Sequence, residues 1–451
     1  MSPVPDQFPR MNVFRRRGTS AAKRMMVPAL FGAMLSGTLL CPALAAAQSA
    51  GLAPSDPRFA PVVDTIIARY GKPLPRDSVE RLLRTRGLEG LDPYSGLMSA
   101  SEESQLRTAI AGSFVGIGAF FQPDSVPGGP RIADVFVNSP ALAAGVRNDD
   151  AILSVDGRST NGQPLDSVLP RLRGRAGTSV DVELRHRGDS LPVRVTIVRA
   201  WIATPSVRGM ARASGGRWSY QVEGGDAIAY ARITHFSATT VAELDSALRT
   251  IGRSGARSLI LDLRGNVGGS FDAGVQAADL FLDSGVVVTE RSRSDAKVYR
   301  ATAGVATTLP VALLIDERTK SAGELFVAAL QDHHRAIVVG QRSYGKGMVQ
   351  QLIPLGGQFG SMRLSISTYI RPSGRIIERH ATGGDAVNGG VWPDSGNDVV
   401  VASDVSKRVA ERLEADDQQA SLAHATISTI SLASDPVLAR AVDVLSRMAR
   451  Q

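Results

Sequence analysis

Three residues stand at spacings that could carry acyl transfer: Ser321, Lys346 25 positions on, and Gln350 four positions beyond it. Ser321 opens Ser321-Ala322-Gly323-Glu324, between an apolar run at 311–315 and a helical pattern over 321–333. A serine at a strand-to-helix junction lies where the free N–H groups of a helix start can stabilise an oxyanion. The same four residues spell a capping box, with Ser321 as N-cap and Glu324 at the third helical position, and taken alone that structural reading is the stronger one. A nucleophilic serine also needs a base. None of the six histidines, at 186, 235, 333, 334, 380 and 424, declares itself as a triad member. Lys346 differs because Gly345 and Gly347 flank it and permit close backbone approach. To accept a proton near neutral pH its amine must be lowered by about 2–3 units through burial. Gln350 would share a strand face with Lys346 and could hydrogen-bond it.

A rival chemistry occupies the same stretch. Gly340-Gln341-Arg342-Ser343-Tyr344-Gly345-Lys346-Gly347 almost spells a phosphate-cradling loop and suggests a nucleotide-binding enzyme. However, Gly347 stands where the metal-binding hydroxyl belongs, and 348–353 reads as strand, so no helix N-terminus follows to hold a phosphate.

The elements that must position these residues follow from the apolar periodicity. Residues 49–112 read as helical and polar-rich, with Val62, Ile66, Ile67, Tyr70, Val79, Leu82 and Leu83 at spacings of three and four, and a turn at 92–96. Residues 113–204 alternate short apolar runs with turns, a small β-rich domain with one or two short helices. Over 205–398 strands at 228–233, 258–263, 311–315 and 336–339 alternate with helices at 242–251, 272–282 and 321–333, which predicts an α/β layer structure. Residues 399–451 form a mostly helical tail of no readable role.

The chain has 451 residues, enough for several domains, and a net charge of +8. That basicity invites a nucleic-acid reading until its location is considered. Residues 1–48 place Arg10, Arg15, Arg16, Arg17, Lys23 and Arg24 ahead of an apolar run ending in Ala43-Leu44-Ala45-Ala46-Ala47, the order of a secretory signal peptide. Beyond them 45 basic and 42 acidic residues remain, so a nucleic-acid partner is not expected. The expectation is export to the periplasm or cell envelope, with membrane association only if the leader stays uncleaved. Cys41 is the one cysteine and lies within the leader, so no disulfide and no cysteine metal cluster is expected.

These strings together resemble the C-terminal processing peptidases, serine proteases with a PDZ domain. Thr319-Lys320-Ser321-Ala322-Gly323-Glu324, Ala329-Leu330-Gln331-Asp332 and Tyr344-Gly345-Lys346-Gly347-Met348-Val349-Gln350 carry the likeness. Asp262-Leu263-Arg264-Gly265-Asn266-Val267-Gly268-Gly269 adds to it, with Val267 where proline is usual, as do Leu91-Asp92-Pro93-Tyr94-Ser95, Tyr369-Ile370-Arg371-Pro372 and Gly390-Val391-Trp392-Pro393-Asp394. The resemblance implies a crotonase-like α/β (α+β) protease core with an inserted PDZ domain and helical flanks. It implies Ser321 as nucleophile, Lys346 as general base, Gln350 orienting it, and an oxyanion hole from the N–H groups of Gly268 and Ala322, with no metal or organic cofactor. In the β-rich domain it makes Val115, Gly116, Ile117 and Gly118 the loop that holds a substrate's terminal carboxylate. The implied partners are proteins or peptides with accessible C-termini, an activating adaptor, and further copies of the chain. A catalytically silent peptide-binding scaffold on the same fold is the alternative.

Overall fold

The computed structural model describes residues 56–122, 129–212, 217–222, 227–355, 360–381, 384–419, 422 and 432–450. The leader, Cys41 and His424 lie outside the described residues. No described helix is long and apolar enough to cross a membrane.

Four short apolar runs make the central sheet. Ile228–Ile233, Ser258–Asp262, Val311–Ile315 and Ala336–Gly340 lie side by side in parallel, and Val207–Arg208 adds an antiparallel edge. Such runs read as continuously hydrophobic because both faces of a parallel sheet are covered. Alternation then assigns each residue a face. Ala229, Ala231, Ile233, Leu259, Leu261 and Leu313 pack on the helices Thr240–Arg253, Phe271–Asp279 and Ala322–Asp332. Tyr230, Ile260, Ala312, Leu314 and Val339 pack on Leu413, Val437, Leu438, Ala441 and Leu445 of the helices Ser403–Gln419 and Pro436–Met448. The tail without a readable role is therefore the second covering layer of the sheet.

A buried charge network fixes that layer. Arg208, Arg232 and Arg264 are almost fully buried, and Asp262 is the only carboxylate their own sheet offers them. The tail supplies the others: Asp417 pairs with Arg232 at 2.6 Å and Arg208 at 2.7 Å, and Asp435 with Arg264 at 2.8 Å. Burial opposes ionisation of Asp417, but Arg232 and Arg208 outweigh it and hold its carboxyl below the usual range.

A second, antiparallel sheet is centred on the long strand Ser361–Ile370. One edge of it pairs with Met348–Pro354, and the other with Gly96–Met98 and Val286–Ser292 in turn. The helices Phe59–Arg69 and Arg76–Arg86 pack Val62, Ile66, Val79 and Leu83 against Met362 and Leu364 of this strand, as their spacing predicts. A unit with a core of its own is built around Ile132, Val135, Ile152, Val155, Val180, Val182 and Leu184. The strand Ser113–Gly116 pairs with Ala200–Ala203, so the chain enters and leaves this unit at one place.

Asp417→Ala leaves Arg208 buried without its carboxylate and Arg232 with Asp262 alone. It is expected to lower unfolding stability by about 3–5 kcal/mol, read from the urea midpoint of the full chain.

Candidate active site

Ser321 immediately precedes the buried helix Ala322–Asp332, and its backbone is at φ 58° and ψ −123°. An N-cap residue normally takes the extended region, so this serine is held in a conformation that L-residues rarely adopt. The expected capping box is present: the Glu324 carboxylate accepts the Ser321 N–H at 2.9 Å, and the Ser321 side chain faces the Glu324 N–H. The strain is imposed from outside. Asn266, fully buried, donates to the Ile233 carbonyl at 2.9 Å, and its own carbonyl accepts the Lys320 N–H at 2.9 Å. Thr319 Oγ1 donates to the Leu263 carbonyl at 2.9 Å. These bonds knit the loop before Ser321 to the loop 263–269.

That second loop passes so close that a side chain at Gly268, whose φ is 93°, would place Cβ 2.7 Å from the Cβ of Ser321. Of the two expected oxyanion donors, the Ala322 N–H has no acceptor among the described residues. The Gly268 N–H is already given to Asn266 Oδ1 at 2.8 Å.

Lys346 lies in the connection between the strands Ala336–Gly340 and Met348–Pro354, which is clamped by two buried carboxylates. Glu324 Oε2 accepts the Lys346 N–H at 2.8 Å, while Oε1 accepts the Gly345 N–H at 2.6 Å and the Ser343 hydroxyl. Glu378 Oε2 accepts the Gly347 N–H at 2.9 Å. Both glycines earn their place, since a Cβ at Gly345 would meet Arg379 at 2.6 Å and one at Gly347 the Glu378 nitrogen at 2.3 Å. Burial pushes the Lys346 amine down to about 8, and the positive charges of Arg363 and Lys320 push the same way. Among the described residues Glu378 and Glu324 act on the Lys346 amine through their charge and not through a hydrogen bond. Glu324 is pushed up to about 7 by burial, against the four donors that favour its charge.

The structure thus brings Ser321, Ala322, Gly268 and Lys346 together, and Gln350 departs from expectation. Lys346 precedes the strand Met348–Pro354, so the alternation along that strand does not extend to it. Gln350 Nε2 donates to the Met348 carbonyl at 3.2 Å, not to the lysine. Val115 and Gly116 are in the strand that pairs with Trp201 and Ala200, and Ile117 and Gly118 form the loop after it. No described histidine hydrogen-bonds Ser321; His380 instead bonds the Tyr344 carbonyl at 2.8 Å. The strand that follows Lys346 removes the helix a phosphate loop needs.

Sequence reasoning passed over three groups. Tyr369, kept un-ionised by burial, lies beside the Ser321 hydroxyl. Glu378 gave no signal, because it sits in irregular chain. Glu324 was read only as a cap, although one carboxylate among the nine buried residues 322–330 was the available sign that it does more.

A strained serine next to an amine that loses its proton near pH 8 can do nucleophilic chemistry, at a cost in stability. The folded-state pKa of Lys346 lies below its ordinary 10.5, so its ammonium destabilises the fold below about pH 8 and ceases to do so by about pH 10.5. Lys346→Met is expected to stabilise the chain at pH 7 by about 1–3 kcal/mol, allowing for partial solvent screening, with the gain vanishing as pH approaches 10.5. Denaturant melts across pH check this.

The sequence profile of peptidase family S41 matches residues 227–395, the stretch that carries Gly268, Ser321, Lys346 and Glu378. A carboxy-terminal-processing protease of Bartonella bacilliformis is 33% identical over 298 residues, 64% of this chain and 65% of that one. A carboxyl-terminal-processing protease of Synechocystis sp. is 30% identical over 303 residues, 67% of this chain and 68% of that one. Among solved structures, a photosystem II D1 C-terminal processing protease matches with 24% identity and a TM-score of 0.42, over 77% of this chain and 94% of that one. With such identity sustained across two thirds of the Synechocystis protease, this chain belongs to peptidase family S41.

Proposed function

We propose that the chain is an exported serine endopeptidase in which Ser321 is the nucleophile and Lys346 the general base. One observation carries this reading: the N–H groups of Ser321 and Lys346 both donate to a single atom, Glu324 Oε2, at 2.9 and 2.8 Å. That shared acceptor holds the two backbones within about 6 Å of each other, although 25 residues separate them.

Ser321 Oγ attacks a peptide carbonyl while the neutral Lys346 amine takes its proton. The ammonium then gives that proton to the departing amine, and water hydrolyses the acyl-enzyme by the same route in reverse. The Ala322 N–H at the helix start is free to accept the oxyanion, and Gly268 serves as second donor by turning its N–H from Asn266. No hydrogen bond joins Ser321 and Lys346 in the state described, so their side chains must close on each other when substrate binds.

The β-rich unit 113–204 serves in this reading as a PDZ domain that receives substrate C-termini. Two features support it. The Ile117 and Gly118 N–H groups have no backbone acceptor among the described residues, and Gly118 takes the positive φ of 77° that a carboxylate-holding loop requires. The order of charge and apolar residues over 1–48 supports export to the periplasm or cell envelope.

Against an unfolded protein substrate, Ser321→Ala is expected to abolish cleavage, and so is Lys346→Arg, which keeps the charge but cannot lose it. A base titrating at about 8 makes the rate rise about tenfold between pH 7 and pH 9. Equal digestion by wild type and Ser321→Ala refutes the assignment. A serine-reactive probe that fails to label Ser321 in wild type points instead to a silent scaffold.

A further inference from the structure

We propose that Tyr94 is a positioning residue for the general base, so that the N-terminal segment around it completes the active site. The proposal rests on the reading of Lys346 given above. Tyr94 lies far from Lys346 in sequence, in the turn before the short strand Gly96–Met98, yet three of its groups reach what surrounds the lysine. Its ring lies over the ammonium, with Nζ 5.2 Å from the centroid. Its hydroxyl donates to Glu378 Oε1 at 3.1 Å, and the other oxygen of that carboxylate holds the Gly347 N–H at 2.9 Å. Its carbonyl accepts Arg363 Nε at 2.8 Å, which fixes a second cation beside Lys346.

Tyr94 is itself immobilised. Asp92 Oδ1 accepts the N–H groups of Tyr94 and Ser95 at 2.8 and 2.9 Å and the Ser365 hydroxyl at 3.0 Å. The strand Gly96–Met98 then ties the segment to the central strand of the antiparallel sheet. A tyrosine held only for packing would need neither the buried carboxylate under its hydroxyl nor a lysine under its ring.

The groups that face Lys346 come from five places in the chain: Tyr94, Lys320, Glu324, Arg363 and Glu378. The Tyr94 ring acts in two opposed ways. Its π face favours the ammonium, whereas its bulk keeps water from Nζ and favours the neutral amine. Burial is the leading cause of the low Lys346 pKa, and the ring over Nζ at 5.2 Å is part of what buries it.

The test compares wild type with Tyr94→Phe and Tyr94→Ala in the full chain. Two curves are measured. One is kcat/KM across pH on an unfolded protein. The other is the pH dependence of acetic anhydride labelling at Lys346, followed by mass spectrometry in a Ser321→Ala background. Tyr94→Phe keeps the ring and is expected to leave both midpoints in place. Tyr94→Ala admits water and is expected to move both midpoints up by about 1 unit, with activity at pH 7 down about tenfold and largely recovered at high pH. Tyr94→Leu preserves apolar bulk should the alanine variant not fold, and moves the midpoints the same way by less. A merely structural role would lower activity evenly at all pH values. Labelling midpoints that stay fixed in folded Tyr94→Ala or Tyr94→Leu overturn the proposal. Full activity of Lys346→Arg overturns instead the reading of Lys346 as base, and is distinguishable because the labelling titration needs no turnover.

Discussion

The Glu324 carboxylate is the constraint on which the site depends. It is fully buried and accepts from the N–H groups of Ser321, Gly345 and Lys346 and from the Ser343 hydroxyl. A buried carboxylate without partners would be prohibitively costly, whereas one with four donors becomes a rigid node. Those donors come from two loops, each of which follows a strand of the parallel sheet. Removing Glu324 would both free the loops and leave several backbone donors buried without acceptors.

That node works only because the sheet beneath it is stiff. The residues of Val311–Ile315 are all buried, and the strand delivers the chain to Ser321; Ala336–Gly340 delivers it to Lys346. Adjacent parallel strands pair residue by residue, so the two loops leave the same end of the sheet side by side. The tail helices cover the far face and bring Asp417 to Arg208 and Arg232 and Asp435 to Arg264, so that three buried arginines do not have to share Asp262 alone. The helical tail thus supplies two of the three carboxylates that balance the buried arginines.

The parts of this arrangement that show in sequence are those that follow from periodicity or from short local strings. Apolar runs at 311–315 and 336–339 specify their own strands, and the glycines beside Lys346 announce close backbone approach before the approaching atoms are known. What could not be read are contacts between distant segments. Nothing local marks Glu378 as the acceptor for Gly347, or Asp417 as the counter-charge for Arg232, because each is defined by a partner far along the chain. Gln350 shows the converse: alternation along a strand placed it with Lys346, but the strand starts after the lysine and Gln350 bonds the Met348 carbonyl. Pattern reasoning extends a strand's alternation past its end, and here the residue that matters lies before the strand begins.

The placing of the carboxylates also explains how a lysine between two of them keeps a low pKa. Glu324 and Glu378 both lie near enough to raise it, and an ion pair with either would hold the amine charged. Their oxygens are instead occupied by N–H groups: Ser321, Gly345 and Lys346 on one, Gly347, His380 and Ala381 on the other. Each carboxylate therefore orders the backbone around the amine without accepting from the amine itself. Arg363 and Lys320 offset the remaining negative field, which leaves burial in control of the proton. An ion pair would have made this lysine more stable and less able to act as a base, so the same chemistry that fixes its position also keeps its lone pair available.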